Sequence, residues 1–166
     1  MGAFREEDIK TIIQWHTDEI VMRNLDALPV KPKQEKEIKK WLEESSQDTF
    51  RFAVRLNDTK ELIGYAELNG ILWPHRTSWI TIAIAEESKW GRGYGKEAIQ
   101  CLICYAFMEL NLHKLQLTVF SYNTRAVSIY ESLGFKREGS FREFLERDGR
   151  RHDMYLYGLL KREWKM

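Results

Sequence analysis

Three glycines in five positions, Gly91, Gly93 and Gly95, interleaved with Arg92, Tyr94 and Lys96, are the residues best suited to do chemistry. They stand between an apolar run and a helical pattern. Glycines leave backbone N–H groups uncovered and let the chain turn tightly. A helix starting there adds unpaired N–H groups and the positive end of its dipole. Together these make an anion site, to which Arg92 and Lys96 add charge, and its natural occupant is a phosphate or pyrophosphate. Other phosphate motifs fit less well. A Walker loop requires Gly-Lys-Ser/Thr, but Lys96 is followed by Glu97. A dinucleotide fingerprint requires G-x-G-x-x-G, and here the spacing is G-x-G-x-G. Cys101 and Cys104 have the spacing of a redox or zinc pair, but no second cysteine pair and no nearby histidine completes a metal site. They lie inside an apolar helical pattern and are expected to be buried core thiols.

The elements that must hold this loop follow from periodicity. Residues 8–16 read as a helix on Ile9, Ile12, Ile13 and Trp15. A loop with Pro29 and Pro32 leads to a second, charged helix at 33–44, with Ile38, Trp41 and Leu42 turned inward. Residues 50–56 and 61–69 are strand-like around a turn at 57–60. Pro74 breaks the chain before a strand at 78–85. After the glycines, apolar residues at 98, 99, 102, 103, 106, 107 and 110 give a one-sided helix over 94–110. Residues 114–120 alternate as a strand. A short helix at 123–133 ends at Gly134, and two strand-like runs surround Asp148-Gly149, a hairpin signal. One mixed sheet with helices packed on it satisfies this order, an α/β (α+β) fold in a single domain over 1–166.

The 166 residues are 43% hydrophobic and 31% charged, with a net charge of +1. That balance suits a globular protein and argues against nucleic acid or a membrane surface as partner. The opening Met1-Gly2-Ala3-Phe4-Arg5 is not a secretory signal, and the longest apolar runs are far too short to span a bilayer, so a cytoplasmic location is expected.

Downstream of the glycines lie Asn111-Leu112-His113-Lys114-Leu115, then Val119-Phe120-Ser121-Tyr122-Asn123-Thr124-Arg125-Ala126, then Ile129-Tyr130-Glu131-Ser132-Leu133-Gly134-Phe135. With Trp90-Gly91-Arg92-Gly93-Tyr94-Gly95 they resemble the GNAT superfamily of acyl-CoA N-acetyltransferases, in the branch that includes ribosomal-protein N-terminal and spermidine acetyltransferases. The opening Phe4-Arg5-Glu6-Glu7-Asp8 and the region of Asp148-Gly149 are similar to it as well, so the resemblance covers nearly the whole chain. It implies a mixed, mostly antiparallel central sheet flanked by helices, with a coenzyme A cleft between two splayed central strands. Two departures stand out: Trp90 replaces the usual Gln or Arg, and the strand that normally precedes the Arg-Glu-Glu-Asp run is almost absent, as if truncated.

The resemblance implies acetyl transfer from acetyl-CoA to a primary amine by direct attack in a ternary complex, with no covalent enzyme intermediate. It assigns the pyrophosphate to the backbone of Gly91, Arg92, Gly93, Tyr94, Gly95 and Lys96. It assigns the pantetheine arm to backbone groups of Ile82, Ala83 and Ile84. Asn123 and Ala126 border the cofactor, with a helix cap as the competing reading of Asn123. Tyr130 matches the family tyrosine that protonates the departing sulfur, and also fits a core aromatic. Trp79 stands where many relatives carry a glutamate base. Glu67 on the preceding strand is the best remaining carboxylate, with a water chain as its rival and plain solvent exposure as the alternative. His75, in the loop after Pro74, could border the substrate cleft, though a lone loop histidine is usually incidental. Specificity should come from the first two helices, the Pro29–Pro32 loop and the final hairpin. Near that loop only Asp26 is acidic, while Lys31 and Lys33 are basic, which argues against a polyamine and leaves a small amine, an amino sugar or a peptide N-terminus open. Monomer and homodimer are both compatible. The rival to an enzyme is a non-catalytic acyl-CoA-binding module on the same fold.

Overall fold

The structure, a computed structural model, describes residues 1–44 and 46–165. Six strands form one sheet: β1 (Phe50–Arg55), β2 (Leu62–Leu72), β3 (Thr77–Ile84), β4 (Lys114–Phe120), β5 (Lys136–Arg147) and β6 (Arg150–Leu160). Their order is β1-β2-β3-β4-β6-β5, and only β3–β4 is parallel. This is the mixed, mostly antiparallel sheet expected. The β5–β6 turn at Asp148-Gly149 has φ of +53° and +70°, the left-handed pair that a two-residue hairpin demands.

Alternation along the strands separates two cores, one on each face of the sheet. On one face Val54, Ala66, Leu68 and Ile80 pack against α4 (Tyr94–Cys104) and α5 (Thr124–Ser132). On the other, Ala53, Leu62 and Ala85 meet α1 (Ile9–Trp15), α2 (Glu19–Leu25) and α3 (Glu35–Glu43). The α2 helix falls in a stretch the periodicity reads as loop. Asp18 starts it, its carboxylate accepting from the N–H of Ile20 (2.9 Å) and Val21 (3.1 Å). The 94–110 helix is α4 followed by a π-helical turn, Tyr105–Glu109. Ahead of α1, the expected first strand is reduced to one bridge, with the Gly2 N–H donating to Ala53 O (3.0 Å) and the Ala53 N–H to Gly2 O (2.8 Å).

Cys101 and Cys104 are exposed, not buried as expected. The inward stripe of α4 is filled by Ala98, Ile99, Leu102 and Ile103, and positions 101 and 104 fall out of phase with it.

Two ion pairs fasten the α1–α3 face. The Arg55 guanidinium donates to Asp8, which also accepts from the Arg5 N–H (2.6 Å). Arg51 donates to Glu67 (Nε···Oε2 2.5 Å) and to the Trp41 carbonyl, and its guanidinium lies 4.2 Å from the centre of the Trp41 ring. The first ties the start of α1 to β1, and the second joins β1 to β2 and, through the Trp41 carbonyl, to α3.

At Gly64 the β2 backbone meets β3 so closely that a Cβ would lie 1.9 Å from the Ala83 carbonyl oxygen. Nothing larger than glycine fits without moving β3. Gly64→Ala should therefore destabilise the protein by about 1–3 kcal/mol, the cost of forced overpacking, read as a lower urea midpoint. An unchanged midpoint would show that the two strands can separate freely there.

Candidate active site

The parallel pairing of β3 with β4 lasts three residues, Thr77–Trp79 against Lys114–Gln116. Beyond it the strands part. β3 keeps β2 as its partner to Ile84, and β4 keeps β6 to Phe120. The gap opens into a cleft of about 880 Å³ bordered by both strands, α2, α4 and α5.

Hydrogen-bond parity decides which β3 groups face the gap. The Ala85 N–H donates to Ile63 O (2.9 Å), and antiparallel bonding pairs alternate residues. Ala83 and Thr81 therefore bond to β2, opposite Tyr65 and Glu67. The backbone groups of Ile80, Ile82 and Ile84 turn toward β4; Ile80 meets the last of the β3–β4 pairing, and Ile82 and Ile84 face the opening. Of the three residues expected to offer backbone, Ile82 and Ile84 turn theirs to the gap, while Ala83 directs its backbone to β2 and also borders the cleft. The Ile84 carbonyl accepts from the Trp90 indole (2.6 Å), which pins the start of the glycine loop to the end of β3.

Gly91 and Gly93 have φ of +73° and +88°, so only glycine adopts this loop without strain. Gly93 caps α4, and no side chain bonds the first N–H groups of that helix. The amides of Tyr94, Gly95 and Lys96 thus face the cleft as an uncompensated helix N-terminus, a fit for a pyrophosphate. Gly91, Gly93, Tyr94, Gly95 and Lys96 all border the cleft, and Arg92 does not. Flanked by two left-handed glycines, Arg92 stands in solvent. A different basic side chain reaches the cleft. Arg125, in the first turn of α5, borders the cleft with its guanidinium 4.9 Å from the centre of the Trp90 ring.

Asn123 caps α5 through its side-chain oxygen, which accepts from the Ala126 N–H (3.2 Å). That leaves its amide N–H₂ for the cleft, which Ala126 also borders. Tyr130 projects from α5 between core and cleft, its ring edge-on to Phe135 (5.7 Å). Burial pushes its hydroxyl above the usual tyrosine range.

Glu67 is neither solvent-facing nor at the cleft. It is 13% exposed and committed to Arg51, and it accepts from the Asn69 side-chain N–H₂ (2.9 Å). Asn69, Trp79 and Thr81 are the groups that border the cleft there. His75 lies in the exposed β2–β3 turn and does not border it.

The opposite wall comes from α2, which contributes Val21, Asn24 and Leu25, and from Tyr122. The Tyr122 hydroxyl donates to the Arg23 carbonyl. The hairpin tip holds the same helix: Arg23 pairs with Asp148 (2.5 Å), and Arg147 Nη2 donates to the carbonyls of Asp26 (2.9 Å) and Ala27 (3.2 Å). Asp18 as a cap was the sequence signal for this wall.

The family model of the acetyltransferase (GNAT) domain matches residues 1–136. The SPbeta prophage-derived N-acetyltransferase YokL of Bacillus subtilis is 28% identical over 167 aligned positions, 100% of this chain and 92% of YokL. Spermidine N(1)-acetyltransferase of Vibrio cholerae is 39% identical over 104 residues, 63% of this chain and 59% of that one. The crystal structure of a Vibrio cholerae spermidine N-acetyltransferase in complex with CoA and spermine superposes with a TM-score of 0.87 at 28% identity, over 97% of this chain and 94% of that one. Among the described residues, no helix is long and apolar enough to cross a membrane. The chain belongs to the GNAT acetyltransferase family, and it is an N-acetyltransferase that takes an acetyl group from acetyl-CoA and gives it to an amine.

Proposed function

We propose that this chain transfers the acetyl group straight to a primary amine within a ternary complex, with Tyr130 as general acid. The observation that carries this reading is the cleft itself. One opening joins an unpaired strand edge, a helix N-terminus with no side-chain cap and a buried tyrosine.

Acetyl-CoA supplies an activated thioester, whose thiol leaves readily enough that no acyl-enzyme is required. The α4 amides and Arg125 hold the pyrophosphate. Backbone groups of Ile82, and the free side of Ile84, pair with the pantetheine arm as an added strand would. An Ile82 or Ile84 N–H polarises the thioester carbonyl. The amine nitrogen attacks that carbon, the C–S bond breaks, and Tyr130 gives its proton to the departing sulfur. Solvent then reprotonates the tyrosine. Covalent catalysis by cysteine finds no support, because Cys101 and Cys104 lie on the outer side of α4.

The amine must lose a proton, and no carboxylate borders the cleft among the described residues. We assign that proton to a water chain toward solvent. Glu67, tied to Arg51, acts instead by fixing Asn69. The relative solved with CoA and spermine supports an amine as acceptor.

Release of free thiol from acetyl-CoA in the presence of amines tests the reading. Acetyl-CoA at about 100 times its Kd should add roughly 2.7 kcal/mol of stability, and no rise in melting temperature would count against the cleft as its site. Tyr130→Phe should lower kcat about 100-fold and leave acetyl-CoA affinity within about twofold. The raised pKa sets the sign of the pH dependence: the acid works below its pKa. Wild-type kcat should therefore not fall through about pH 10, the ordinary tyrosine value. A fall there that Tyr130→Phe abolishes would contradict the burial of the hydroxyl. Arg125→Ala should raise the KM for acetyl-CoA about tenfold with kcat nearly unchanged. A drop in kcat alone would exclude the phosphate role.

A further inference from the structure

We infer that the acceptor is a small primary monoamine carrying an apolar or aromatic group beside its nitrogen, rather than a polyamine. This rests on acetyl transfer in the cleft described above.

Strand alternation divides the cleft into two sides. Ile80, Ile82 and Ile84 share the face of α4 and α5. Trp79 and Thr81 point to the other face, and their β2 partner residues are Asn69 and Glu67. That is the face covered by α2. The glycine loop and α5 thus serve the donor, and the acceptor meets Asn24, Leu25, Asn69, Trp79, Thr81 and Tyr122.

The charges are lopsided. The charged residues bordering the cleft, among those described, are Lys89, Lys96 and Arg125, all basic and all on the donor side. Three carboxylates carried by the elements around the acceptor side are already engaged. Glu67 pairs with Arg51, Asp148 pairs with Arg23, and Asp26 accepts from the Leu28 N–H (2.9 Å) while itself exposed. A polyamine at neutral pH is protonated at every nitrogen. Its reacting nitrogen must become neutral, and each remaining ammonium would enter a wall of amides, hydroxyls and rings with no counter-charge. The indole face of Trp79 attracts one cation at most.

Trp79 makes the positive case. It is 40% exposed in mid-sheet, at the foot of the splay, and a Cβ on nearby Gly70 would lie 3.5 Å from its Cδ1. A large exposed ring at the end of a cleft is a contact surface for a flat or apolar group. Size is limited as well. Tyr122, Arg147 and Asp148 fix α2 and the segment after it as one wall of the cleft, which favours a small acceptor over a polypeptide laid along it.

The test compares 2-phenylethylamine, spermidine and the dipeptide Phe-Gly as acceptors for the whole chain, by thiol release from acetyl-CoA. 2-Phenylethylamine should show a kcat/KM at least about tenfold above that of spermidine and of the dipeptide. Trp79→Ala should lower that kcat/KM about tenfold, mainly through KM, with acetyl-CoA affinity unchanged as the control for folding. Trp79→Glu should raise kcat/KM for spermidine. Spermidine equal to or better than 2-phenylethylamine in the wild type overturns the inference, as does preference for the dipeptide or indifference to Trp79→Ala. If acetyl-CoA still protects against heating but no amine is acetylated, the acceptor class is wrong and the donor site stands. Loss of protection as well removes the acetyl-transfer reading beneath it.

Discussion

The parting of β3 from β4 is the constraint on which the rest of this structure depends. A strand edge inside a protein leaves polar backbone groups that need partners, and orphaned ones are costly. Here each strand keeps its outer neighbour, so the cost is confined to the facing edges. On β3 those are the groups of Ile82 and Ile84. The last is partly met by the Trp90 indole, which donates to the Ile84 carbonyl. The rest are accessible to water or to an extended ligand. Closing the gap would satisfy the edge internally and erase the cleft. The close approach at Gly64 keeps β3 against β2 and so helps to keep it from β4.

Trp90 shows how a departure from a family pattern is absorbed by physics. A Gln or Arg at this position would bring side-chain donors to the phosphates. The tryptophan brings one donor and spends it on the strand. It compensates with its ring, against which Arg125 rests from α5. One residue thus couples the end of β3, the glycine turn and the start of α5. The positive charge at this end of the cleft sits on a helix some thirty residues downstream.

Local signals carried most of the sheet. The β1–β2 turn, the β5–β6 turn and the glycine loop are each written in a few adjacent residues, and the structure has them within a few positions. What was illegible was non-local. Counting outward from Leu56 and Glu61 puts Arg51 opposite Ala66. A one-residue bulge at Val54/Arg55 moves it to Glu67, and that shift decides that the carboxylate is paired. Nothing in the sequence announces the bulge. The missed α2 helix differs, since Asp18 was a readable cap. Seven residues are too few for a convincing periodicity, and the helix exists because the hairpin tip and Tyr122 hold its far end. For the cysteines the error was one of phase. An apolar stretch was legible, but its filled stripe left positions 101 and 104 outside.

The two sides of the cleft are therefore built on different principles. The donor side is mostly backbone: a strand edge, three helix amides and two left-handed glycines. Such a surface suits the shape of a diphosphate and an amide chain, and on the proposed reading it tolerates changes in most side chains around it. The acceptor side is side chains hung on a short helix that depends on distant partners. On the proposed reading, Asn24, Leu25 and Trp79 tune what is recognised there while the β3 edge and the α4 amides stay in place. Selectivity for the amine can thus vary while the acetyl-CoA site stays fixed. This division also explains why the motifs read in the sequence converge on the donor and say little about the acceptor. Turns and helix starts leave local signatures, whereas the acceptor wall forms only when the hairpin tip closes over a helix more than a hundred residues away.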